Sequence, residues 1–471
     1  MSARAVVIAA PASGSGKTTV ATGLMAALHR RGTPVAPFKV GPDYIDPGYH
    51  TLAAGRPGRN LDPVLVGADR IAPLARHGAA GAQIVVVEGV MGLFDGRLAD
   101  GYGSTAQVAG LLGAPVVLVV DVRGQARSLA ALLHGFRSFD QDVDLAGVVL
   151  NRVGSARHEE VLRAAAAEAG LPVLGALPRR AALAVPSRHL GLVTAVEHGA
   201  AATAAVDAMA ELVAAHVDLD AVVALARPLP DGPPWSPSAA LAGSGAPLAA
   251  PTGAPRVRVA VLGGAAFTFG YAEHVELIAA AGADVVVVDP LRDEALPENT
   301  AALVLPGGFP EEHVAALSAN TGLLRAVRAL AVSGAPVHAE CGGLLYLCAT
   351  LDGASLCGVL PAHAAMTQRL TLGYRDAVAL TPSVLHAVGD RVAGHEFHRC
   401  AVTPRAAAPA WAWRGGEPEG YVQGGVHASF LHTHPAGAPD AVARFVAAAA
   451  SSPVCAPAAL PSVGRSSPGR S

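Results

Sequence analysis

The chain has 471 residues, 52% hydrophobic and 15% charged, which excludes a disordered polymer and leaves room for two or three domains with separate cores. Its 34 basic and 37 acidic side chains give a formal net charge of −3, so no bulk positive field advertises nucleic acid or an anionic membrane as partner. Five cysteines (Cys341, Cys348, Cys357, Cys400, Cys455) form no C-x-x-C pair, which argues against a disulfide framework or a thiolate zinc site and fits a reducing compartment. The N-terminus has no signal-peptide pattern, and the long uncharged stretches 103–120 and 236–255 are broken by polar residues, prolines or glycines. These features predict a cytoplasmic protein with no membrane span.

In chain order, short runs rich in Val, Ile and Leu occur at 5–10, 35–40, 84–88, 115–121, 146–150 and 172–177. Continuous apolar runs predict strands covered on both faces, hence a parallel sheet between helices over residues 1–227. Residues 228–255 are dense in proline, glycine and alanine and predict an exposed, extended linker. Runs at 256–262, 284–289, 302–306 and 335–339 repeat the theme in a second domain, 256–450, and 451–471 predicts a disordered tail. The expected fold class is α/β: two doubly wound parallel-sheet domains.

The first run opens into APASGSGKTT at 10–19. Gly14 and Gly16 let consecutive backbone N–H groups face one anion, with Ser15 between them. Lys17 neutralises phosphate charge, and a helix from Thr18 points its positive end at the same spot. Thr18 offers a hydroxyl to Mg²⁺. Pro11 stands where the usual first glycine of the motif would fall, and Ala12 where a partition-type ATPase would carry a second lysine.

The second and third apolar runs lead into KVGPDYIDPGYH (39–50) and EGVMGLFDG (88–96). Both loops leave from carboxyl ends of strands, where ligands bind in open α/β sheets, so Asp43, Asp46, Glu88 and Asp95 can converge on the phosphates through Mg²⁺. Turn capping is the competing role for Asp43 and Asp46. Asn151 ends another strand, where an amide could read the nucleotide base or cap a helix.

In the second domain, VHAECGGL (337–344) predicts strand, tight turn and helix, with Cys341 at the apex as a nucleophile. The helix N-terminus is expected to lower its pKa. LPGGFPE (305–311) can present backbone N–H groups around Gly308 to an oxyanion. Residues 426–434 (VHASFLHTH) are expected as one strand with His432 and His434 on one face and His427 on the other. The other cysteines are expected to be structural.

KVGPDYIDPGYH, EGVMGLFDG, LPGGFPE, HAECGGLLYL, GHEFH and ASFLHTH, in this order, resemble the glutamine-dependent cobyrinic/hydrogenobyrinic acid a,c-diamide synthases of cobalamin biosynthesis, over nearly the whole chain apart from linker and tail. The resemblance implies a dethiobiotin-synthetase-like P-loop domain joined to a class I-type glutamine amidotransferase domain. It implies a C–N ligase that uses ATP, Mg²⁺ and glutamine to amidate a corrinoid polycarboxylate through acyl phosphates. Cys341 is then the glutaminase nucleophile and His432 its base, with His434 as alternative; the class I glutamate two residues after the histidine has no counterpart, leaving a dyad. Gly14 to Thr18 and Asn151 are placed on ATP. Thr18, Asp43 and Glu88 are placed on the metal, and Tyr44, Asp46 and Asp95 on the substrate. Arg56, Arg59, Arg97 and His50 are weaker candidates for contact with the polyanion. A homodimer is left open, as are a sister amidoligase acting on another tetrapyrrole and a nucleotide switch with a decayed glutaminase.

Overall fold

The computed structural model describes residues 3–98, 100–179, 187–188, 191–192, 194–243 and 256–452. Residues 244–255 of the expected linker and 453–471 of the expected tail lie outside them. Seven parallel strands build the first sheet: β1 (Arg4–Ala9), β2 (Val35–Val40), β3 (Arg59–Leu61), β4 (Ile84–Glu88), β5 (Val116–Asp121), β6 (Leu145–Val153) and β7 (Val173–Pro178), in the order β3-β2-β4-β1-β5-β6-β7. Six of these are the apolar runs. β2 and β4 bury every residue, which requires helices on both faces of the sheet. Val7, Phe38, Val87 and Leu118 pack on one face. Val6, Ile8 and Val86 pack on the other, under Val20, Leu24 and Leu28 of helix α1 (Lys17–Arg30). Each such buried aliphatic side chain stabilises by on the order of 1.5–3 kcal/mol. β3 has no apolar run to announce it; it extends the edge of β2 by backbone pairing.

The connection to the second domain departs from the expected open linker. Arg227–Pro228 pairs antiparallel with β1, and Pro237–Gly243 is helical. Leu229, Trp235 and Leu241 are buried. Trp235 N donates to Pro73 O (2.9 Å), the indole meets the His77 ring edge-on, and Arg76 donates to Pro230 O (2.7 Å) and Pro233 O (3.0 Å). Proline and glycine keep regular elements short here, but three large apolar side chains need cover and dock the segment on domain one.

The second domain holds a six-stranded sheet in the order Ala283–Val288, Val257–Leu262, Thr300–Leu305, Val337–Glu340, Val426–Ser429, Tyr421–Gln423, parallel except for the last pair. Beside it stands a second sheet that the apolar runs do not foretell. Its spine is the antiparallel pair Leu360–Ala379 and Arg391–Thr403, flanked by Cys348–Leu351 and His432–Thr433. Leu360–Ala379 alternates buried and exposed residues at its start and is largely part-exposed beyond, so no continuous apolar signal marks it. The expected single strand 426–434 is therefore two pieces in two sheets, with a corner at Phe430 and Leu431. Strand parity does not relate His427 to His432 and His434 across that corner.

Polar contacts join the domains. Arg59 on β3 forks onto Glu273 (2.7 Å) and Glu276, and His77 also bonds Glu276 (2.9 Å). Tyr374 OH donates to Asp62 Oδ2 (2.9 Å), while Asp62 Oδ1 accepts from Val64 N (2.9 Å). Arg59 thus serves the domain contact, and its weak candidacy for the polyanion falls away. Arg56 likewise donates to the Gly78 and Ala80 carbonyls, and Arg97 pairs with Asp100. Arg59→Ala would leave the buried Glu273 without its cation and Glu276 with His77 alone. The expected outcome is faster amide hydrogen exchange across Ala272–Ala280 and a lower unfolding temperature, each measured against the parent chain.

Candidate active site

β1 delivers the phosphate loop to the carboxyl edge of the sheet. Gly14 and Gly16 adopt φ 79° and 100°, and a Cβ on Gly16 would run into the Asn151 side chain. Asn151 Nδ2 donates to Ser15 O (2.9 Å), and Ser15 Oγ donates to Ala12 O (2.8 Å). Asn151 therefore braces the loop from β6. It caps no helix: the following helix, Ala156–Glu168, is capped by Ser155. Lys17 opens α1, and its Nζ donates to Met91 O. Burial first, and the charge of Lys39 second, push the Lys17 ammonium down to about 8.

Beside this loop lies a buried charge cluster. Lys39 Nζ donates to Asp46 Oδ2 (2.6 Å), Glu88 Oε1 (2.9 Å) and Gly89 O (3.2 Å). Thr18 Oγ1 donates to Glu88 Oε1 (2.7 Å) and stands 3.5 Å from Asp46 Oδ2; His50 Nε2 bonds Glu88 Oε2 (2.7 Å). Asp46 and His50 lie one turn apart on helix α2 (Asp46–Ala54), so one helix face supplies both. Burial works against the charge on Lys39, but Asp46 and Glu88 outweigh it and hold the ammonium firmly protonated. Burial would also raise Glu88, yet Lys39 and His50 pull its carboxyl well below the usual range. Asp46 goes the other way: burial, then repulsion from Asp43 and Glu88, lift it well above. Two carboxylates sharing one lysine leave an unfilled demand for positive charge.

Of the residues expected on the metal, Thr18 and Glu88 come together, and Asp46 takes the place expected for Asp43. Asp43 Oδ1 caps the turn by accepting from Ile45 N (2.7 Å), and its Oδ2 is 3.9 Å from Lys39. Asp95 Oδ2 accepts from Gly92 N (2.9 Å) and so holds the loop that carries Met91. Among the described residues no group of three or more His, Cys, Asp or Glu is set to hold a metal ion. One hydroxyl and two carboxylates do fit Mg²⁺, which takes hard oxygen ligands and completes its shell with water and phosphate oxygens. Lys39 was not anticipated as a site residue. Its signal is a charged residue within a fully buried strand, which must find partners.

The second centre forms at the carboxyl end of Val337–Glu340. Cys341 adopts φ 46°, ψ −103°, a conformation that non-glycine residues avoid, at the start of helix Gly342–Leu347. Its N–H donates to Ser429 O (2.7 Å). A Cβ on Gly342 would meet Gly308 N at 2.9 Å, and one on Gly343 would run into Leu305 O, so only glycines let the elbow sit on the 305–311 loop. The thiol is 5% exposed, and the expected lowering of its pKa is not found. Burial, then the neighbouring Cys400 and Glu311, push it well above the ordinary value. The helix that follows is only six residues long. A proton acceptor is therefore required.

A Cβ on Gly307 would strike His432 Cε1 and lie 3.2 Å from Nε2, so the imidazole edge lies on the same glycine loop as the elbow. His434 instead stacks on Tyr271 (4.1 Å between ring centroids), its Nδ1 accepts from Ala436 N (3.2 Å), and burial pushes it down to about 4. Cys348 and Cys400 are pushed up to about 12 by burial, in keeping with a structural role.

The centres meet at Tyr44. This residue of the Asp43–Asp46 loop stacks on Phe269 (5.1 Å, 12°) and lies 4.8 Å from the Tyr271 ring and 5.1 Å from the His432 ring.

Residues 6–193 match the family described as CobQ/CobB/MinD/ParA nucleotide binding domain, and residues 258–439 the CobB/CobQ-like glutamine amidotransferase domain. The hydrogenobyrinate a,c-diamide synthase of Mycobacterium tuberculosis (strain ATCC 25618 / H37Rv) is 60% identical over 96% of this chain and 99% of its own. That of Streptomyces coelicolor is 58% identical over 94% and 96%. The cobyrinate a,c-diamide synthase of Gloeobacter violaceus is 42% identical over 94% and 96%. The chain belongs to the a,c-diamide synthase family. A glutamine-dependent, amide-forming ligase with a nucleotide-binding P-loop domain is what that membership makes it. Among the described residues no helix is long and apolar enough to cross a membrane.

Polyphosphate next to Lys17 favours the ammonium, whereas the free protein holds it at about 8. ATP binding to this synthase is therefore expected to take up protons increasingly as the pH rises through about 8, and not well below it. Calorimetry in buffers of different ionisation enthalpy measures this, and Lys17→Met should abolish the uptake.

Proposed function

We propose that the protein converts the a- and c-acetate carboxylates of a corrinoid polyacid into amides through acyl phosphates, with ATP as phosphoryl donor and glutamine as nitrogen source, in cobalamin biosynthesis. Hydrogenobyrinate is the preferred substrate, on the strength of the 60% and 58% identity to relatives named for it. The observation that carries the two-centre reading is Tyr44, a residue of the acidic loop of domain one packed against the glutaminase histidine.

Cys341 passes its proton to His432 Nε2 as the sulfur attacks the glutamine amide carbon. Backbone amides around Gly307 and Gly308 face the oxygen that gains charge. His432 returns the proton to the leaving nitrogen, ammonia departs, and water cleaves the thioester to glutamate. Ammonia passes the aromatic cluster of Tyr44, Phe269 and Tyr271 as the neutral molecule; bulk water at neutral pH would protonate it and remove its lone pair.

In domain one a substrate carboxylate oxygen attacks the γ-phosphorus of ATP and ADP leaves. Lys17 and the N-terminus of α1 balance the charge on the phosphates, with the loop shaped by Gly14, Ser15 and Gly16 and braced by Asn151. Thr18, Asp46 and Glu88 would hold Mg²⁺, which supplies charge neutralisation at the phosphate oxygens. Lys39 keeps these two carboxylates in place. Ammonia then attacks the acyl carbon, the C–O bond to phosphate breaks, and an amide remains. A second round treats the other carboxylate. Asp43, Asp95 and Tyr44 border the space for the corrinoid, and a homodimer remains compatible with this scheme.

The test is to incubate the full chain with MgATP, glutamine and either hydrogenobyrinate or cobyrinate, and count amides by mass spectrometry. Two amides on hydrogenobyrinate are expected; amidation of cobyrinate alone would overturn the substrate choice. Cys341→Ala should lose glutamine-dependent synthesis but keep ammonia-dependent synthesis, and loss of both in a folded variant would overturn the division of labour. Asp46→Asn should depress synthesis with either nitrogen donor while leaving glutamine hydrolysis measurable.

A further inference from the structure

The glutaminase dyad lacks the carboxylate that would orient its histidine from two residues downstream, because position 434 is itself a histidine. We propose that Glu340, the residue directly before the nucleophile, is the positioning residue that fills this role, holding His432 with a proton on Nδ1 and Nε2 turned to the thiol. The inference rests on the assignment of Cys341 and His432 above.

The geometry carries it. Glu340 is buried, and its Oε1 is clamped by the N–H (3.0 Å) and hydroxyl (2.9 Å) of Thr433, the residue after His432. That clamp sets Oε2 3.6 Å from His432 Nδ1, a buried nitrogen that has no hydrogen-bond partner at bonding distance. The Cε1–Nε2 edge of the ring lies on Gly307, in the same loop whose Gly308 N–H borders Gly342 of the elbow. Gaps of this size are common in unliganded catalytic sites and close in the complex. The elbow makes the arrangement available: the strand ends at Glu340, Cys341 turns sharply at φ 46°, and two consecutive residues can address opposite ends of one imidazole arriving from the other sheet.

Besides His432, the carboxylate faces His338 and the Thr433 clamp. His338 Nε2 stands 3.4 Å from Oε1. Burial holds His274 and His434 down to about 4 and His427 well below its ordinary value, so these rings are neutral at physiological pH. His395, which faces His432 from Arg391–Thr403, is likewise pushed down to about 3 by burial. The phenols of Tyr44 and Tyr271 are pushed up and stay protonated. Burial alone would raise the Glu340 carboxyl, but His338 and His432 hold it well below the usual range. A buried anion so placed stabilises the imidazolium that forms when the thiol gives up its proton.

The experiment compares Glu340→Gln, Glu340→Asp and Cys341→Ala in the full chain, each assayed for glutamine hydrolysis and for ammonia-dependent synthesis. Glu340→Gln preserves shape and an acceptor for Thr433. It is expected to lower glutaminase kcat by on the order of 10²-fold or more while glutamine KM and ammonia-dependent synthesis stay within about twofold. Glu340→Asp, which keeps the charge, should recover part of kcat. The proposal is overturned if Glu340→Gln keeps glutaminase kcat within about threefold of the parent. It is equally overturned if KM or ammonia-dependent synthesis falls along with kcat, or if Asp is no better than Gln. Glutaminase activity surviving in Cys341→Ala would instead overturn the underlying assignment of the nucleophile.

Discussion

A lysine buried between two carboxylates sets the terms for the first domain. Register pairs Lys39 with Glu88 across β2 and β4, and α2 brings Asp46 in from the following loop. None of these charges would survive burial alone; together, with Thr18 and His50, they form a network whose members have fixed positions. β1 lies next to β4, so the phosphate loop opens beside the network. The fold thus places a polyphosphate cradle, a hard-oxygen donor set and an acidic loop at one sheet edge, which is the chemistry needed to activate a carboxylate.

The second domain solves a different problem. Its thiol is shielded from water and held neutral by that shielding. Protection from solvent suits an enzyme that must not waste glutamine, and it makes reactivity depend on an imidazole held in register by neighbours. The contact of Tyr44 with His432 means that the acidic loop of one domain forms part of the wall around an imidazole of the other. Arg59, Tyr374 and Asp62 hold that contact in place from the rim.

Much of this was legible in the residues. Six strands of the first sheet and the first four of the second domain's sheet followed from continuous apolar runs, and the phosphate loop and cysteine elbow from glycines at required turns, while β3 and Tyr421–Gln423 carried no such run. What was not legible depends on pairing across distance. The Leu360–Ala379 and Arg391–Thr403 pair lacks a continuous apolar face to announce it. The corner at Phe430 and Leu431 is invisible because VHASFLHTH alternates well enough to pass for one strand. Asp43 and Asp46 are chemically equal in the sequence; only the start of α2 decides that Asp46 faces Thr18 while Asp43 caps a turn. The linker misled because composition reports flexibility, whereas three apolar side chains decide docking. The thiol misled because its burial depends on the loop and sheet packed over it, which the residues around Cys341 do not reveal.

The corner itself has a mechanical meaning. Cys341 stands at the tip of the parallel sheet and His432 on the antiparallel one, and the latter layer also touches the first domain through Tyr374. A slight slip of one layer against the other would change the reach between sulfur and nitrogen without breaking either ladder. The distance between the two side chains therefore depends on how the layers rest on each other, and the Tyr374–Asp62 bond ties one of those layers to the first domain.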